Sequence, residues 1–433
     1  MDSAFQSASQ NSVSKSPGLA SRASLLPWLL VASAPALFAL TTWGLSVETG
    51  FGQGFRLIAV PLCLIQIAFL LLSVRAGWRP AQQFLTFTPV VRVLLCAIVI
   101  EALSVAALRA PNPTGALVWT YLSVIELLFG LAVAWTVASS DERVLEIVWP
   151  AIVWGCLLFA AMAALFAVSP HPAGFDWQYF GLAVSNVRQV GFYVAVGALA
   201  AVGCAITAQP SVRPIFIATA TLMMTLAFWT GSRGTPVCAV IAICVGFVAF
   251  PQMRTIPGVC SASLPIPLGA LLSMPLPQPI AIFGVDRMMD SLKASTPEAM
   301  SAFRLSMWEG AWQAFLVRPW FGYGEGQFGN VVPQPQGIYL HPHNVALQSL
   351  FQWGLIGTIL LLGLAAVAAR HVRSVVRMNR AAPILPAFLV CAGLFVFALY
   401  DGALFHVYPV MMFAFALAFM IGFGQRAKVG GDQ

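Results

Sequence analysis

The chain has 433 residues, of which 59% are hydrophobic and only 9% are charged. Ordinary globular proteins carry about a quarter charged residues, so this composition excludes that class. Apolar runs near 20 residues recur along the chain, and an open sheet would leave backbone groups unpaired in lipid. The sequence therefore predicts an all-α polytopic membrane protein. The net charge of +7 first indicates orientation in the membrane, because no basic surface interleaved with aromatic residues points to nucleic acid.

The apolar runs predict about twelve transmembrane helices. They are placed near Leu25–Leu45, Leu57–Val74, Val90–Leu108, Leu117–Val137, Val144–Val168, Val190–Ala208, Ile215–Trp229, Val237–Phe250, Val259–Met274, Val345–Ala368, Leu385–Tyr400 and Val410–Gly422. Pro265 and Pro267 are expected to kink the ninth. The predicted order is a cytoplasmic tail over 1–24, spans one to nine within 25–274, an external segment over 275–344, spans ten to twelve within 345–422, and a cytoplasmic tail over 423–433.

The start of the chain does not have the features of a cleaved signal peptide. Residues 1–20 are too long for the charged region of a signal peptide, and the run from Leu25 lacks a convincing cleavage site, so we expect a retained first span.

All eight cysteines fall within apolar runs without the spacing of metal ligands. They are expected to be small packing residues rather than disulfides or zinc ligands.

The basic residues predict the orientation. Under the twelve-span model most of the 22 Lys and Arg fall on one set of connectors, which includes the cluster from Arg370 to Arg380. Short basic loops are retained in the cytoplasm, so that side and both termini are expected to be cytoplasmic. The segment 275–344 then faces outward, into the periplasm where the cell has one.

Two arginines depart from this bias at the outer ends of helices. Arg188 opens the sixth span and Arg233 lies in a tight turn between the seventh and eighth. Arginines in such places indicate an anionic ligand on the outer face. The alternative is that they reach lipid phosphates or pair with Asp176 or Asp401.

The external segment carries helix and turn signals. Ser295 and Glu298 have the spacing of a capping box, and apolar residues then recur at steps of three and four as far as Arg318. This predicts an amphipathic helix that contains Arg304, Trp308 and Trp312 and lies against the bundle or the lipid interface. The glycines of 322–329 predict a compact loop with positive φ angles rather than a nucleotide site, because no strand precedes them.

The external histidines are the strongest candidates for chemistry. His341 and His343 are separated by a proline that favours extended backbone, so their side chains are expected to point the same way. Imidazole titrates near neutral pH and can act as a general base, with Asn344 orienting the ring or the substrate. Metal binding and purely structural hydrogen bonding remain alternatives. Asp401 and nearby His406 are expected to join the same polar site, unless Asp401 only pairs with an external arginine.

Two acids lie inside predicted spans. Glu101 and Glu126 occupy the third and fourth spans, where an ionisable group is costly and usually faces the bundle interior. Hydrogen-bonded contacts between helices are the favoured interpretation, and the proton relay of a transporter is the other.

The order of the motifs resembles the O-antigen ligase and O-antigen polymerase superfamily. The residues that carry the resemblance are Gly231-Ser232-Arg233-Gly234, Arg304 with Trp308, Pro319 with Gly322-Tyr323-Gly324, His341-Pro342-His343-Asn344 and Gly354-Leu355-Ile356-Gly357. Asn186-Val187-Arg188 is similar to the upstream arginine position of the family.

This resemblance implies a GT-C-like, all-helical glycosyltransferase of the bacterial inner membrane. Such an enzyme takes a glycan from undecaprenyl diphosphate at the periplasmic face, without a metal or another cofactor. By this resemblance Arg188, Arg233 and Arg304 hold the donor diphosphate, and His343 is the base, supported by His341, Asn344 and Asp401. Arginines facing the leaving group and a base activating an acceptor hydroxyl would give in-line displacement with inversion.

The acceptor is expected to be a lipid A-core sugar hydroxyl, which makes the protein a ligase. The alternatives with the same donor are a polymerase of O-antigen or exopolysaccharide and a protein O-oligosaccharyltransferase. A lipid-linked sugar transporter is the alternative from another class. Transporters usually place their site near the bilayer midplane, whereas the polar groups here gather at one face.

Overall fold

A computed structural model describes residues 25–42, 51–177, 182, 184, 186–287, 293, 296–301, 303–333, 340–378 and 384–429. Regular structure in these ranges is helical. The helices of the first half are α1 (Leu26–Thr42), α2 (Phe51–Arg75), α3 (Pro80–Thr86), α4 (Pro89–Leu108), α5 (Pro113–Ser139), α6 (Glu142–Val168), α7 (Val190–Thr207) and α8 (Arg213–Trp229). Those of the second half are α9 (Gly234–Ala249), α10 (Ile256–Ser263), α11 (Pro265–Ser273), α12 (Pro297–Met300), α13 (Arg304–Val317), α14 (Phe328–Val331), α15 (Val345–Arg377), α16 (Leu385–Tyr400) and α17 (Val407–Val429).

Seven of the described helices are long and apolar enough to cross a membrane. They are Pro89–Leu108, Pro113–Ser139, Glu142–Val168, Val187–Thr207, Ile256–Ser273, Val345–Arg377 and Val407–Arg426. The pair Val60–Arg75 and Pro80–Thr86, bent by 82°, adds an eighth if it is one span, and α1, α8, α9 and α16 are shorter apolar helices. The all-helical membrane class is therefore confirmed, while the count of about twelve spans stays a prediction.

The sequence explains where several helices begin and break. Thr88 accepts a hydrogen bond from Val91 N, and Asn112 accepts one from Gly115 N, so each caps a helix that starts with proline. A proline in the first turn has no amide hydrogen to leave unpaired. The ninth predicted span is interrupted at Leu264, directly before Pro265, where the kink was expected.

Helix α7 lies at the centre of the bundle. It contacts α6, α8, α9, α16 and α17, and its residues are buried over almost the whole length. Glycines allow the close approach, since a Cβ at Gly203 would lie 2.5 Å from Pro386 Cα. This core fixes the helix ends that carry Arg188, Arg233 and Asp401.

Helix α15 is kinked at Gly354, where the glycine-rich loop docks. Gly354 has φ 61° and ψ −162°, so the helical hydrogen bonds around it are open. The loop fills them, because Tyr323 N donates to Phe351 O and Gly324 N to Gln352 O, at 3.0 and 2.8 Å. In return Leu355 N donates to Pro319 O at 2.7 Å. The positive φ angles predicted for the loop are confirmed at Gly322, Gly324 and Gly326. The loop therefore braces α15.

The amphipathic helix of the external segment is broken, contrary to the prediction of one continuous element. Phe303 has φ 62°, and this left-handed residue separates α12 from α13. Ser295, the first residue of the predicted capping box, lies outside the described residues. Glu298 instead accepts hydrogen bonds from Ser306 N and Oγ at 3.2 and 2.7 Å and so holds the start of α13. Met307 is buried and Trp312 is 43% exposed.

Two expectations for residues within the spans need correction. Neither carboxyl oxygen of Glu101 has a hydrogen-bond partner, so the expected interhelical hydrogen bonds do not form there. All eight cysteines are free thiols, but Cys96, Cys244 and Cys260 are exposed on the outside of the bundle rather than packed within it. Apolar runs do not by themselves show which face of a helix turns inward.

Candidate active site

The His341–Asn344 segment leads directly into α15. Asn344 is the N-cap of that helix, since its Oδ1 accepts hydrogen bonds from Ala346 N and Leu347 N at 3.0 and 3.1 Å. Its Nδ2 donates to Leu399 O at 2.9 Å, near the end of α16. The structure thus gives Asn344 a role in the fold and shows no bond to the His343 ring, while its expected contact with the substrate stays a prediction. It positions His343 through the backbone.

His343 has an unusual backbone conformation. Its φ of 53° lies in the left-handed region, which costs energy for a residue with a side chain and occurs often at functional sites. Its amide donates to His341 Nδ1 at 3.2 Å, and the two ring centroids are 4.0 Å apart. The rings therefore lie together on one side of the segment.

Asp401 joins His343 to Arg304. Its Oδ1 lies 2.9 Å from His343 Nδ1 and accepts from Gly402 N at 2.7 Å, while its Oδ2 accepts from Arg304 Nη2 at 2.7 Å. Burial acts to raise the pKa of this carboxyl, but the charge of Arg304 and the bond to His343 bring it well below its usual range. Asp401 is therefore an ionised carboxylate.

This arrangement sets the state of the His343 ring. A carboxylate accepts hydrogen bonds and donates none, so His343 Nδ1 carries the hydrogen that Asp401 receives. In the neutral ring the lone pair then lies on Nε2. An imidazole held in this way can accept a proton from a hydroxyl group.

His341 lies behind His343 and is 5% exposed. Its ring stacks on Phe405 at 4.1 Å and would lie 2.0 Å from a Cβ at position 402, so only glycine fits there. Burial, and then the neighbouring His343, hold the pKa of His341 well below its usual value. Because its Nδ1 accepts the His343 amide, neutral His341 supports the neighbouring ring.

His406 completes the histidine group on the other side. Its ring centroid is 5.5 Å from that of His341, and its Nε2 is 3.5 Å from Gln189 Nε2, one residue after Arg188. Burial, and then His343, lower the pKa of His406 to about 4, so it is neutral near pH 7. The histidines and the start of α7 therefore meet.

Charge effects connect four guanidinium groups in this part of the protein, and one of them, Arg304, is bonded to Asp401. Burial lowers the pKa of Arg233, and the charge of Arg304 lowers it further. Burial lowers the pKa of Arg287 to about 10, with added effects from Arg188 and Arg233. The positive charges that lower the pKa of Arg233 and Arg287 repel these guanidinium groups, so an anion at this place would be bound favourably. We call Arg188, Arg233, Arg287 and Arg304 the arginine cluster.

The local chain explains how Arg233 and Arg287 are held. Gly231 has φ 66°, and its carbonyl oxygen accepts from Arg287 Nη1 at 3.3 Å. Arg233 Nη1 donates to Met300 O at 3.4 Å, which ties the α8–α9 turn to the external segment. The tight Gly231–Gly234 turn thus aims one arginine and anchors the other.

The structure brings together most of the residues predicted for the site and adds Arg287. The contacts and charge effects given above link Arg233, Arg304, His341, His343 and Asp401. Arg188 is connected to them through Arg287 and Gln189. Sequence reasoning missed Arg287 as a member of the arginine cluster, whereas His406 lies beside His341, in the polar site where it was expected. Like Arg188, Arg287 is a positive charge on the less basic side of the predicted membrane topology. It lies in a segment with few other sequence motifs, so this feature was not used. Among the described residues no three His, Cys, Asp or Glu side chains are grouped so as to hold a metal ion.

Residues 218–362 match a family model described as O-antigen ligase. The resemblance to the O-antigen ligase superfamily is confirmed. The O-antigen ligase match contains Arg233, Arg287, Arg304 and the segment His341–Asn344, whereas Arg188 and Asp401 lie outside it. It supports a membrane glycosyltransferase of the O-antigen ligase or polymerase type. A comparison with curated proteins finds no match.

Proposed function

We propose that this protein is an inverting O-antigen ligase. It would move a glycan from undecaprenyl diphosphate to a sugar hydroxyl of lipid A-core, at the periplasmic face of the bacterial inner membrane and within a GT-C-like bundle. The observation that carries the proposal is the Asp401–His343 pair next to the arginine cluster. A base and an anion-binding group then share one end of the bundle.

The base acts on the acceptor. His343 Nε2 takes the proton of the acceptor hydroxyl as its oxygen bonds to the anomeric carbon of the donor, and Asp401 stabilises the imidazolium that forms. The ordinary general-base contribution is about 10²–10⁴-fold in rate. Attack opposite the leaving group inverts the anomeric carbon.

The arginine cluster acts on the leaving group. The anomeric C–O bond breaks with its electron pair going to the diphosphate, which gains one negative charge. Guanidinium groups placed in advance meet that charge, so the leaving group departs without a metal ion. Arg188, Arg233 and Arg287 are assigned to the diphosphate. Arg304 is bonded to Asp401, so we assign it first to holding that carboxylate, and its predicted contact with the donor stays a prediction.

The test uses purified full-length protein, undecaprenyl-diphosphate glycan and lipid A-core, with mass analysis of the products. His343→Ala should abolish transfer while donor binding persists, and Arg233→Ala should weaken donor binding about tenfold or more. Arg109→Ala is the matched control, since Arg109 lies over the Phe321 ring on the external side and outside the arginine cluster.

Two results would overturn parts of the proposal. Full turnover by His343→Ala would remove that residue as the base. Elongation of the glycan in the absence of lipid A-core would replace the ligase assignment by that of a polymerase.

A further inference from the structure

A second polar cavity lies between α2, α5, α15 and α17, next to the histidines. The space in it for the centres of water-sized groups is about 100 Å³. Polar groups on its wall come from Ser123, Glu126, Glu325, Gln348 and Gln352. The mechanism above uses none of them. We call this space the acidic cavity.

The acidic cavity contains carboxyl oxygens without hydrogen-bond partners. Glu325 is only 5% exposed, and its Oε2 accepts from Ser123 Oγ at 2.6 Å. Its Oε1 has no partner within 3.5 Å, although the Trp353 side chain interacts with this carboxyl group. Glu126 Oε2 is likewise buried and has no partner within 3.5 Å, with Gln66 as its polar neighbour. A buried polar group without a hydrogen-bond partner costs about 1–3 kcal/mol in stability. Most buried polar groups in folded proteins therefore have a partner. These oxygens are therefore suited to a ligand with hydroxyl or amine hydrogens.

Aromatic rings complete the wall. Trp119, Trp353 and Phe405 line the cavity, and Trp119 packs on Phe405 with ring centroids 5.0 Å apart. Flat apolar rings beside carboxyl and amide groups suit a pyranose, which has a C–H face and a rim of hydroxyls. A polyprenyl chain would leave the same polar groups unpaired.

The acidic cavity adjoins the proposed base. Phe405, on its wall, stacks on His341 at 4.1 Å, and His341 lies 4.0 Å from His343. Contacts therefore run from Arg304 through Asp401, His343 and His341 to Phe405. The arginine cluster and the acidic cavity are at opposite ends of this series, with the histidines between them.

Charge separates the two ends. Diphosphate is attracted by the arginine cluster, whereas the residues that line the acidic cavity include no cation that could bind a phosphate group. An uncharged or amine-bearing sugar needs no such cation. We propose that the acidic cavity binds an acceptor sugar that carries no phosphate, either neutral or an amino sugar. The identification of the bound sugar as the acceptor rests on the proposed function, whereas the binding of a sugar in this cavity does not.

The direct test measures sugar binding without a donor. Full-length protein in lipid nanodiscs is studied by saturation-transfer NMR with methyl α-glucoside, methyl α-glucosaminide and methyl α-glucoside 6-phosphate, each at concentrations up to tens of millimolar. The first two should bind, and the phosphate at least tenfold more weakly. Glu126→Leu and Glu325→Gln should each weaken binding at least tenfold. Absence of binding by both unphosphorylated glycosides, or equal binding of the phosphate, would overturn the proposal.

Glu101→Gln provides the matched control. Glu101 is a buried carboxyl on which the charge of Glu325 acts, but it lies outside the cavity wall. It should retain the wild-type affinity for both glycosides. A loss as large as in Glu325→Gln would show a general effect of buried charge and refute a specific sugar site. Unfolding temperatures of all variants exclude loss through misfolding.

A transfer assay separates this inference from the proposed function. In Glu325→Gln the KM for lipid A-core should rise at least tenfold with the KM for the donor unchanged. Glycoside binding without transfer by the wild-type protein would remove the proposed function and leave the sugar site. Transfer with an unchanged acceptor KM in both cavity variants would remove the acidic cavity as the acceptor site and leave the function.

Discussion

His343 Nδ1 lies 2.9 Å from Asp401 Oδ1, and the other oxygen of that carboxylate is bonded to Arg304. One acidic side chain therefore fixes the tautomer of the proposed base and joins it to the arginine cluster. Asp401 lies only in the α16–α17 turn, yet both halves of the proposed chemistry depend on it.

Asp401→Asn should lower the transfer rate by about 10²–10⁴-fold, as expected when a carboxylate that orients a catalytic histidine becomes an amide. The amide nitrogen can donate to His343 Nδ1 and so place the ring hydrogen on Nε2, where it blocks proton uptake. The fall should be in kcat, measured with saturating donor and lipid A-core. A rate within threefold of wild type would show that Asp401 does not orient the base.

Arg287→Ala should weaken donor binding about tenfold. Arg287 stands close enough to Arg188 and Arg233 for their charges to lower its pKa, so the diphosphate would lose one of its attracting charges. Donor affinity can be measured by titration with a fluorescent undecaprenyl diphosphate. Arg287→Lys should recover part of the loss, because the charge returns without the bidentate geometry. Affinity equal to wild type in the alanine variant would confine Arg287 to its bond with Gly231 O.

Gly354→Ala should destabilise the protein. A Cβ there would lie 2.4 Å from the Trp320 carbonyl carbon, and φ of 61° is unfavourable for alanine, which together imply strain of at least about 1–3 kcal/mol. The unfolding temperature in detergent should fall by several degrees. Gly363→Ala in the same helix is the control, since its new methyl would meet only Leu94 side-chain carbons at 3.4 and 3.5 Å. Equal stability of the two variants would contradict the bracing role of the loop.

Glu325 should make the protein less stable as pH rises. Burial raises the pKa of this carboxyl from 4.5 to about 7, although the bond from Ser123 opposes the rise. Between these values the folded protein keeps a proton that the unfolded chain has released, so folding stability falls as pH increases through this interval. Glu325→Gln removes the effect. Its unfolding temperature relative to wild type should therefore rise from pH 4.5 to pH 7.5.

The control for the pH experiment is Glu309→Gln, an exposed acid on α13. It should show no such pH-dependent gain over wild type. A constant difference between Glu325→Gln and wild type across the whole range would mean that folding does not raise the pKa of Glu325.

Much of the candidate site could be predicted from the sequence. Arg233, Arg304 and His343 were identified from their types, their order and their placement against the charge bias of the chain. Arg287 was missed because its importance comes from neighbours distant in sequence. Asn344 was assigned to the substrate or the ring, but its position before α15 makes it a helix cap.

Two local patterns were interpreted correctly only in part. The glycines of 322–329 do have positive φ angles, but the loop docks on the open turn at Gly354, which no local pattern in either segment reveals. The apolar periodicity around Met300 and Met307 predicted one helix, whereas Phe303 interrupts it. The spacing of apolar residues indicates which side chains face inward. It does not reveal that one residue between two short helices has a left-handed backbone conformation.

Composition and run length by themselves determined that this is a helical membrane protein, because hydrocarbon requires long apolar helices with internally paired backbones. Motif order indicated the resemblance to the O-antigen ligase superfamily, which the family model over residues 218–362 supports. Only the tertiary structure decided that Asp401 links His343 to Arg304, that charge effects connect four arginines, and that Glu126 and Glu325 line one cavity. Those facts depend on distances between helix ends far apart in sequence, which packing around α7 sets and one-dimensional spacing does not contain.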